Sequence, residues 1–248
     1  MRPPVRHKKV LLRIVAGAII AFGTAALSAS SLADISMVIV DSGMLCVTEG
    51  ALHDAPRHQF SLDAPKMRAY VNRPSAQIIE ARFTYVGPTA VEAKLASGEA
   101  REQFGLKLRA QDPCNLVYAM WRIEPESKLV ISVKLNPGQH TSAECGNQGY
   151  TTIKPVRALP APTLRPGTKH SLRAEMDGEN LRVFADGTLV WRGDVGPDAA
   201  ALDGPVGIRS DNAALDGLQL MVGAPPGAPS AAQPGAVLPC KSGPAESE

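Results

Sequence analysis

The sequence predicts an all-β protein folded as a two-sheet antiparallel sandwich. Apolar and polar residues alternate through several short segments, the period of a strand with one buried face. Turn-forming Gly, Pro, Asp and Asn separate those segments. No long amphipathic helix is written anywhere in the 248 residues. Many short strands punctuated in this way suit a sandwich better than any helical architecture.

The clearest strand is "AQIIEARFTYVG", where Ile79, Ala81, Phe83 and Tyr85 alternate with Glu80, Arg82 and Thr84. In "QFGLKLRA" the pattern puts Phe104, Leu106, Leu108 and Ala110 inward and Lys107 and Arg109 outward. The turn "QDPC" leads to "NLVYAMWRI", apolar on both faces, and "EPES" leads to "KLVISVKL" with Leu129, Ile131, Val133 and Leu135 inward. Three strands joined by short turns predict a meander. Upstream, "DISMVIVDSGMLCV" reads as one or two short strands and "TEGALHDAPRHQ" as a polar connection. "AVEAKLASGEAREQ" has room for a turn or two of helix, and the prolines of "KPVRALPAPTLRPGTK" disfavour a regular strand there.

The ends have a different character. Arg2, Arg6, Lys8 and Lys9 precede an apolar run from Ile14 to Leu27, and Ser31-Leu32-Ala33 offers small residues around a cleavable bond. Residues 1–33 therefore read as a signal peptide, although Arg13 interrupts the apolar run that begins at Val10; an uncleaved anchor is the alternative. Residues 34–222 form the expected sandwich domain, and 223–248, rich in Gly, Pro and Ala, a disordered tail. The leader holds five of the 26 Lys/Arg and none of the 24 Asp/Glu, leaving 21 basic against 24 acidic residues, about −3. That balance gives no reason to expect nucleic acid as a partner, and no membrane span is expected after the signal is removed.

Cys46, Cys114, Cys145 and Cys240 are an even set in an exported chain, which favours disulfides. Four cysteines allow three pairings; Cys114–Cys145 within the central region and Cys46–Cys240 across the domain are preferred. No C-x-x-C or Cys/His zinc spacing occurs, so neither a metal nor another cofactor is expected. His140 and Glu144 stand near Cys145, but a lone His in a glycine-rich loop more simply faces solvent.

The string E-M-D-G-E, Glu175 to Glu179, poses a sharper question. On one straight strand, Glu175, Asp177 and Glu179 would share a face, as paired carboxylates in glycoside hydrolysis require. The flanking pattern favours a hairpin instead. Leu172, Ala174 and Met176 alternate up to "DGEN", and Leu181, Val183 and Ala185 resume after it. A second turn follows at Asp186-Gly187. Two consecutive hairpins place the carboxylates at a solvated tip, and no catalytic residue is assigned.

"LRVFADGTLVWRG" followed by "LDGPVGIRSDNAALDGLQL" resembles the closing strands of concanavalin A-like lectin/glucanase domains and their laminin G-like relatives. The matching positions are Asp186, Gly187, Trp191, Gly204, Val206, Gly207, Ile208, Arg209, Asp211 and Asn212, within residues 168–222. The resemblance implies two curved antiparallel sheets in a jelly roll, with glycans bound on a concave face in many members. Laminarinase-type members cleave β-glucans with an E-x-D-x-E strand. Here those letters enclose Gly178 and a turn.

The candidate ligand face follows from the meander. With Val117, Ala119, Trp121 and Ile123 inward, Tyr118, Met120 and Arg122 point out beside Lys107, Arg109 and Arg82. An aromatic ring among cations can stack on a sugar and bind carboxylate or sulfate in forked hydrogen bonds. Trp121 and Trp191 read as packing residues. Asp211 and Asn212 carry oxygens that suit calcium, but turn hydrogen bonding is the simpler role. The expectation is an exported, periplasmic or extracellular, non-catalytic carbohydrate-binding or surface-recognition module whose partner is a glycan, acidic in preference. A glycan-processing enzyme of the same fold and an envelope structural protein are the alternatives.

Overall fold

The computed structural model describes residues 37–73, 76–223 and Cys240. The leader expected over 1–33 and, apart from Gly223 and Cys240, the expected tail lie outside these residues. In chain order the strands are β1 (Met37–Ile39), β2 (Leu45–Glu49), β3 (His53–Ala55), β4 (Gln59–Leu62) and β5 (Lys66–Val71). The long strands β6 (Ile78–Pro88), β7 (Glu102–Asp112) and β8 (Asn115–Glu124) follow, then β9 (Lys128–Lys134), β10 (Tyr150–Thr152) and β11 (Arg157–Ala158). The closing set is β12 (Lys169–Asp177), β13 (Asn180–Ala185), β14 (Thr188–Asp194), β15 (Gly207–Asp211) and β16 (Ala213–Gly223). Two one-turn helices, α1 (Ser142–Cys145) and α2 (Pro197–Ala200), interrupt them.

These strands form two antiparallel sheets. One has the order β11-β14-β13-β12-β6-β16-β4-β3 with β1 added beside β16, and the other β10-β9-β8-β7-β15-β5-β2. The core lies between them, because each long strand turns its apolar alternation inward. Phe83, Phe104 and Trp121 meet edge to face across the layers, Phe83 and Phe104 with ring centroids 4.9 Å apart. Burying each large side chain contributes roughly 1.5–3 kcal/mol, and the alternation places such residues on every long strand. Trp121 and Trp191 both belong to this core, Trp121 donating its indole N–H to the Pro162 carbonyl at 3.2 Å.

Both disulfides pair as expected, Cys46 with Cys240 and Cys114 with Cys145, leaving no free cysteine. Such bonding fits an oxidising, exported environment. No helix of the described residues is long and apolar enough to cross a membrane.

Several expectations need correction. Residues 90–103 form no helix; Leu95 N–H bonds Glu99 C=O and Lys94 bridges Ala100, so the segment is a tight loop leading into β7. Inward alternation in β7 fails at Arg109, which sits at φ 50°. The register slips there, and Ala110 packs with Leu116, Tyr118 and Met120 on the outer face. The polar connection after β2 contains β3, and the proline-rich connection still pairs Arg157 and Ala158 with β14.

The acidic pentapeptide folds as two hairpin strands. Asp177 pairs with Asn180 around Gly178-Glu179, with Gly178 at φ 56°, and the second turn has Asp186 and Gly187 at φ 49° and 75°. Positive φ at both central positions is what a tight hairpin with the strand twist requires. Glu175 is nevertheless not at a solvated tip. It lies buried on the outer face of its sheet, one oxygen 2.5 Å from Arg173 and the other 2.8 Å from Arg182. Arg173 in turn stands opposite Glu80, which accepts from Arg82 at 2.7 Å. The result is a ladder of alternating charges across β6, β12 and β13.

Candidate functional site

The outer face of the sheet β10-β9-β8-β7-β15-β5-β2 carries the candidate site. The antiparallel pairing aligns outward side chains in rows. Thr152, Ser132, Tyr118 and Lys107 make one row, and Val130, Met120, Gly105 and Arg209 the next. Lys128, Arg122, Gln103 and Asp211 make the third. Over these rows lies a groove of about 310 Å3, lined by Tyr118, Met120, Arg122, Gln103, Arg209 and Tyr150 among others. That volume falls at the lower end of small-molecule sites, roughly 300–1,000 Å3.

The floor is shaped by a missing side chain. A Cβ on Gly105 would lie 2.5 Å from the Met120 sulfur and 2.5 Å from the Ala119 carbonyl oxygen. Glycine at this register position lets Met120 lie across β7, where it forms an outer apolar cluster with Tyr118 and Leu116.

One wall is the loop Leu95–Arg101, and Asn212 fixes it. Asn212 sits at φ 55°, a conformation Asn tolerates. Its side chain accepts from the Ala93 amide at 2.8 Å and donates to the carbonyls of Ala93 at 2.9 Å and Arg101 at 3.0 Å. One side chain therefore grips both ends of the wall. The opposite wall comes from the β9–β10 connection, which Cys114–Cys145 anchors to the β7–β8 turn. Lys134, wholly buried, donates to Gly146 C=O at 2.8 Å and stands 5.0 Å from the Tyr150 ring centre. Tyr150 stacks on Tyr118 at 6.1 Å with 24° between the planes, and Tyr150 as a residue remains 37% exposed.

A buried ion cluster supports the floor. Asp211 receives Arg68 Nη2 at 2.6 Å, Arg209 Nε at 2.9 Å and Gln103 Nε2 at 2.6 Å. Burial alone would raise the Asp211 carboxyl, but the charges of Arg209 and Arg68, with the hydrogen bonds, hold it well below the usual carboxylate range. Arg209, so tethered, stands over Tyr118 with its guanidinium carbon 5.2 Å from the ring centre.

Two buried polar atoms on residues lining the groove lack a hydrogen-bond partner: Arg122 Nε, a donor, and Gln103 Oε1, an acceptor. Unmet buried groups cost free energy in the absence of a ligand, about 1–3 kcal/mol each. Three arginines line the groove, Arg101, Arg122 and Arg209, against one carboxylate, Glu99, which is already paired with Arg101.

Of the residues expected at a ligand face, Tyr118 and Arg122 line the groove, and Lys107 occupies the Tyr118 row. Arg109 is turned aside by its positive φ, and its Nη1 reaches Leu202 C=O at 3.4 Å. Arg82 belongs to the other sheet, exposed and paired with Glu80. Sequence reasoning missed Tyr150, Gln103, Arg101 and Arg209 as groove residues. Alternation around Phe104 and Ile208 marks Gln103 and Arg209 as outward; nothing local marks Tyr150, which reaches the groove from a three-residue edge strand.

His140 and Glu144 serve the loop. Glu144 accepts the His140 and Thr141 amides, each at 2.8 Å, and His140 Nδ1 lies 2.9 Å from Asp112. Asp211 and Asn212 are spent on the contacts above, and no group of three or more metal-ligating side chains occurs among the described residues.

The class this architecture defines is the two-sheet antiparallel β-sandwich. No protein-family model matches the sequence, and no curated protein matches it. Similar solved structures include the carbohydrate-binding module CBM66 from Bacillus subtilis, at 14% identity and TM-score 0.45, covering 73% of this chain and 92% of the other. The Caenorhabditis elegans galectin LEC-6 is 13% identical with TM-score 0.39, over 68% and 99% of the two chains. The Crh5 transglycosylase in complex with NAG is 11% identical with TM-score 0.45, over 77% and 84%. Likeness at this level carries no ligand or reaction from those proteins to this one.

Proposed function

We propose that the protein is an exported, non-catalytic carbohydrate-binding module whose site is the groove on the outer face of β10-β9-β8-β7-β15. The observation that carries this reading is the meeting of apolar surface with unmet buried polar groups in the residues of one groove. Tyr150 and Met120 offer faces on which a sugar ring can rest. Arg122 Nε and Gln103 Oε1 offer a donor and an acceptor without partners, which suits hydroxyl groups that do both. The periplasm or the cell exterior would be where such a module meets glycans.

Binding is favoured over hydrolysis by the carboxylates. Glycoside cleavage uses two carboxyl groups facing one another, roughly 5–10 Å apart. Glu99 alone lines the groove, while the E-M-D-G-E segment lies in the other sheet with Glu175 held by two arginines. A glycan array followed by calorimetry, with product analysis of every bound glycan, tests the reading. Binding without release of product is expected. Turnover of a bound glycan would make the protein an enzyme, and absence of binding across the array would remove the proposal.

A further inference from the structure

The groove's charge is unlike that of the chain. Without the leader, the sequence carries fewer basic than acidic residues, 21 against 24. The groove reverses this, with Arg101, Arg122 and Arg209 facing the single carboxylate of Glu99. Arg209 is committed to Asp211 and Glu99 to Arg101; the charges of Glu99 and Glu126 reach Arg122 and offset part of its cost, but burial and the charge of Arg101 outweigh them.

Building on the glycan-binding reading, we infer that the groove selects an anionic sugar, one bearing a carboxylate or a sulfate. The anionic group lies at Arg122 beside Arg101, and the ring lies over Met120 toward Tyr150.

Arg122 is the crux. Its Nε is buried and has no hydrogen-bond partner, although a guanidinium normally satisfies its fork when removed from water. Burial, and next the repulsion of Arg101, push the Arg122 guanidinium below its ordinary value. Both penalties fall when an oxyanion enters, because it supplies hydrogen-bond acceptors and opposite charge together. Gln103 complements this. Its Nε2 is fixed on Asp211 at 2.6 Å, which leaves Oε1 to accept from a ligand hydroxyl. A neutral sugar meets Gln103 and the apolar floor and can offer Arg122 hydroxyl acceptors, but it brings no opposite charge.

The test is calorimetric titration of the purified protein with three probes: an oligogalacturonate, its methyl ester, and a heparin-derived oligosaccharide. At least one charged probe should bind about tenfold or more tightly than the neutral ester, since charge-assisted hydrogen bonds are roughly twice as strong as neutral ones. Preference for the galacturonate assigns a carboxylate; preference for the heparin fragment, which carries carboxylates as well, assigns a sulfate when its desulfated form loses the advantage. Arg122→Gln should remove most of that advantage, lowering affinity for the charged probe several-fold more than affinity for the ester. A second readout needs no variant: charged-probe affinity of the wild type should fall as NaCl rises from roughly 20 to 500 mM. If the ester binds as tightly as both charged probes, the anionic selectivity is overturned and glycan binding stands. If none of the three binds, both readings fall.

Discussion

Tyr118 and Tyr150 stack across β9, their ring centres 6.1 Å apart, although they come from strands on opposite sides of it. Tyr118 is buried in the floor while Tyr150 closes the groove at the sheet edge. The pair links the rigid centre of the sheet to a connection held by Cys114–Cys145.

Tyr150→Ala should therefore weaken glycan binding by about tenfold, the loss of one stacked aromatic face, about 1.4 kcal/mol. Stability should change little, because the ring is half-exposed on a three-residue edge strand. Calorimetry and a denaturant curve on the same variant separate the two effects.

Asp211 makes the opposite prediction. Asp211→Asn removes the buried carboxylate that Arg68 and Arg209 share beneath the groove, while Arg68 keeps Glu49 at 3.8 Å, and should cost about 3 kcal/mol in urea unfolding. The pH dependence follows from the depressed carboxyl. Its stabilisation is fully present above the unfolded-state value near 3.8 and is lost as pH falls below that toward the folded value. Wild-type stability should thus decline below about pH 4, and the variant should show a shallower decline over the same range.

The charge ladder on the other sheet is structural on this account. Glu175→Gln should leave glycan binding unchanged and reduce stability by about 1 kcal/mol, since Arg173 and Arg182 remain partly solvated. A loss of binding in that variant would move the site to the wrong sheet.

Much of this layout was legible in the sequence. Alternation identified the core faces of β6, β8, β9, β12 and β13, because a period of two admits one buried face per strand. The hairpins at Gly178 and Asp186-Gly187 were legible because only a few residues accept positive φ. What alternation cannot give is which sheet a strand joins. Arg82 and Arg122 are both outward, yet they occupy different sheets. Nor does it register a single backbone reversal, and the positive φ at Arg109 moved Ala110 to the other face. Asn212 belongs to a recognisable closing-strand motif, but its grip on Ala93 and Arg101 spans more than a hundred residues of sequence. No local pattern encodes a contact of that range.

The Cys114–Cys145 bond should matter twice. It closes a separation of 31 residues, and replacing both cysteines with serine should cost about 2–4 kcal/mol of stability. The same variant should bind glycan more weakly, because the connection bearing Asn147 and Tyr150 loses its anchor. Thermal unfolding and calorimetry at a temperature where the variant is folded check both outcomes.

The most direct measurement is a backbone amide NMR titration of the protein with a glycan it binds. The account predicts shift changes gathered on Gln103, Tyr118, Met120, Arg122, Tyr150 and Arg209, fading toward β12 and β13. Changes centred on Glu80, Arg173, Glu175 and Arg182, with the groove residues unmoved, would contradict it.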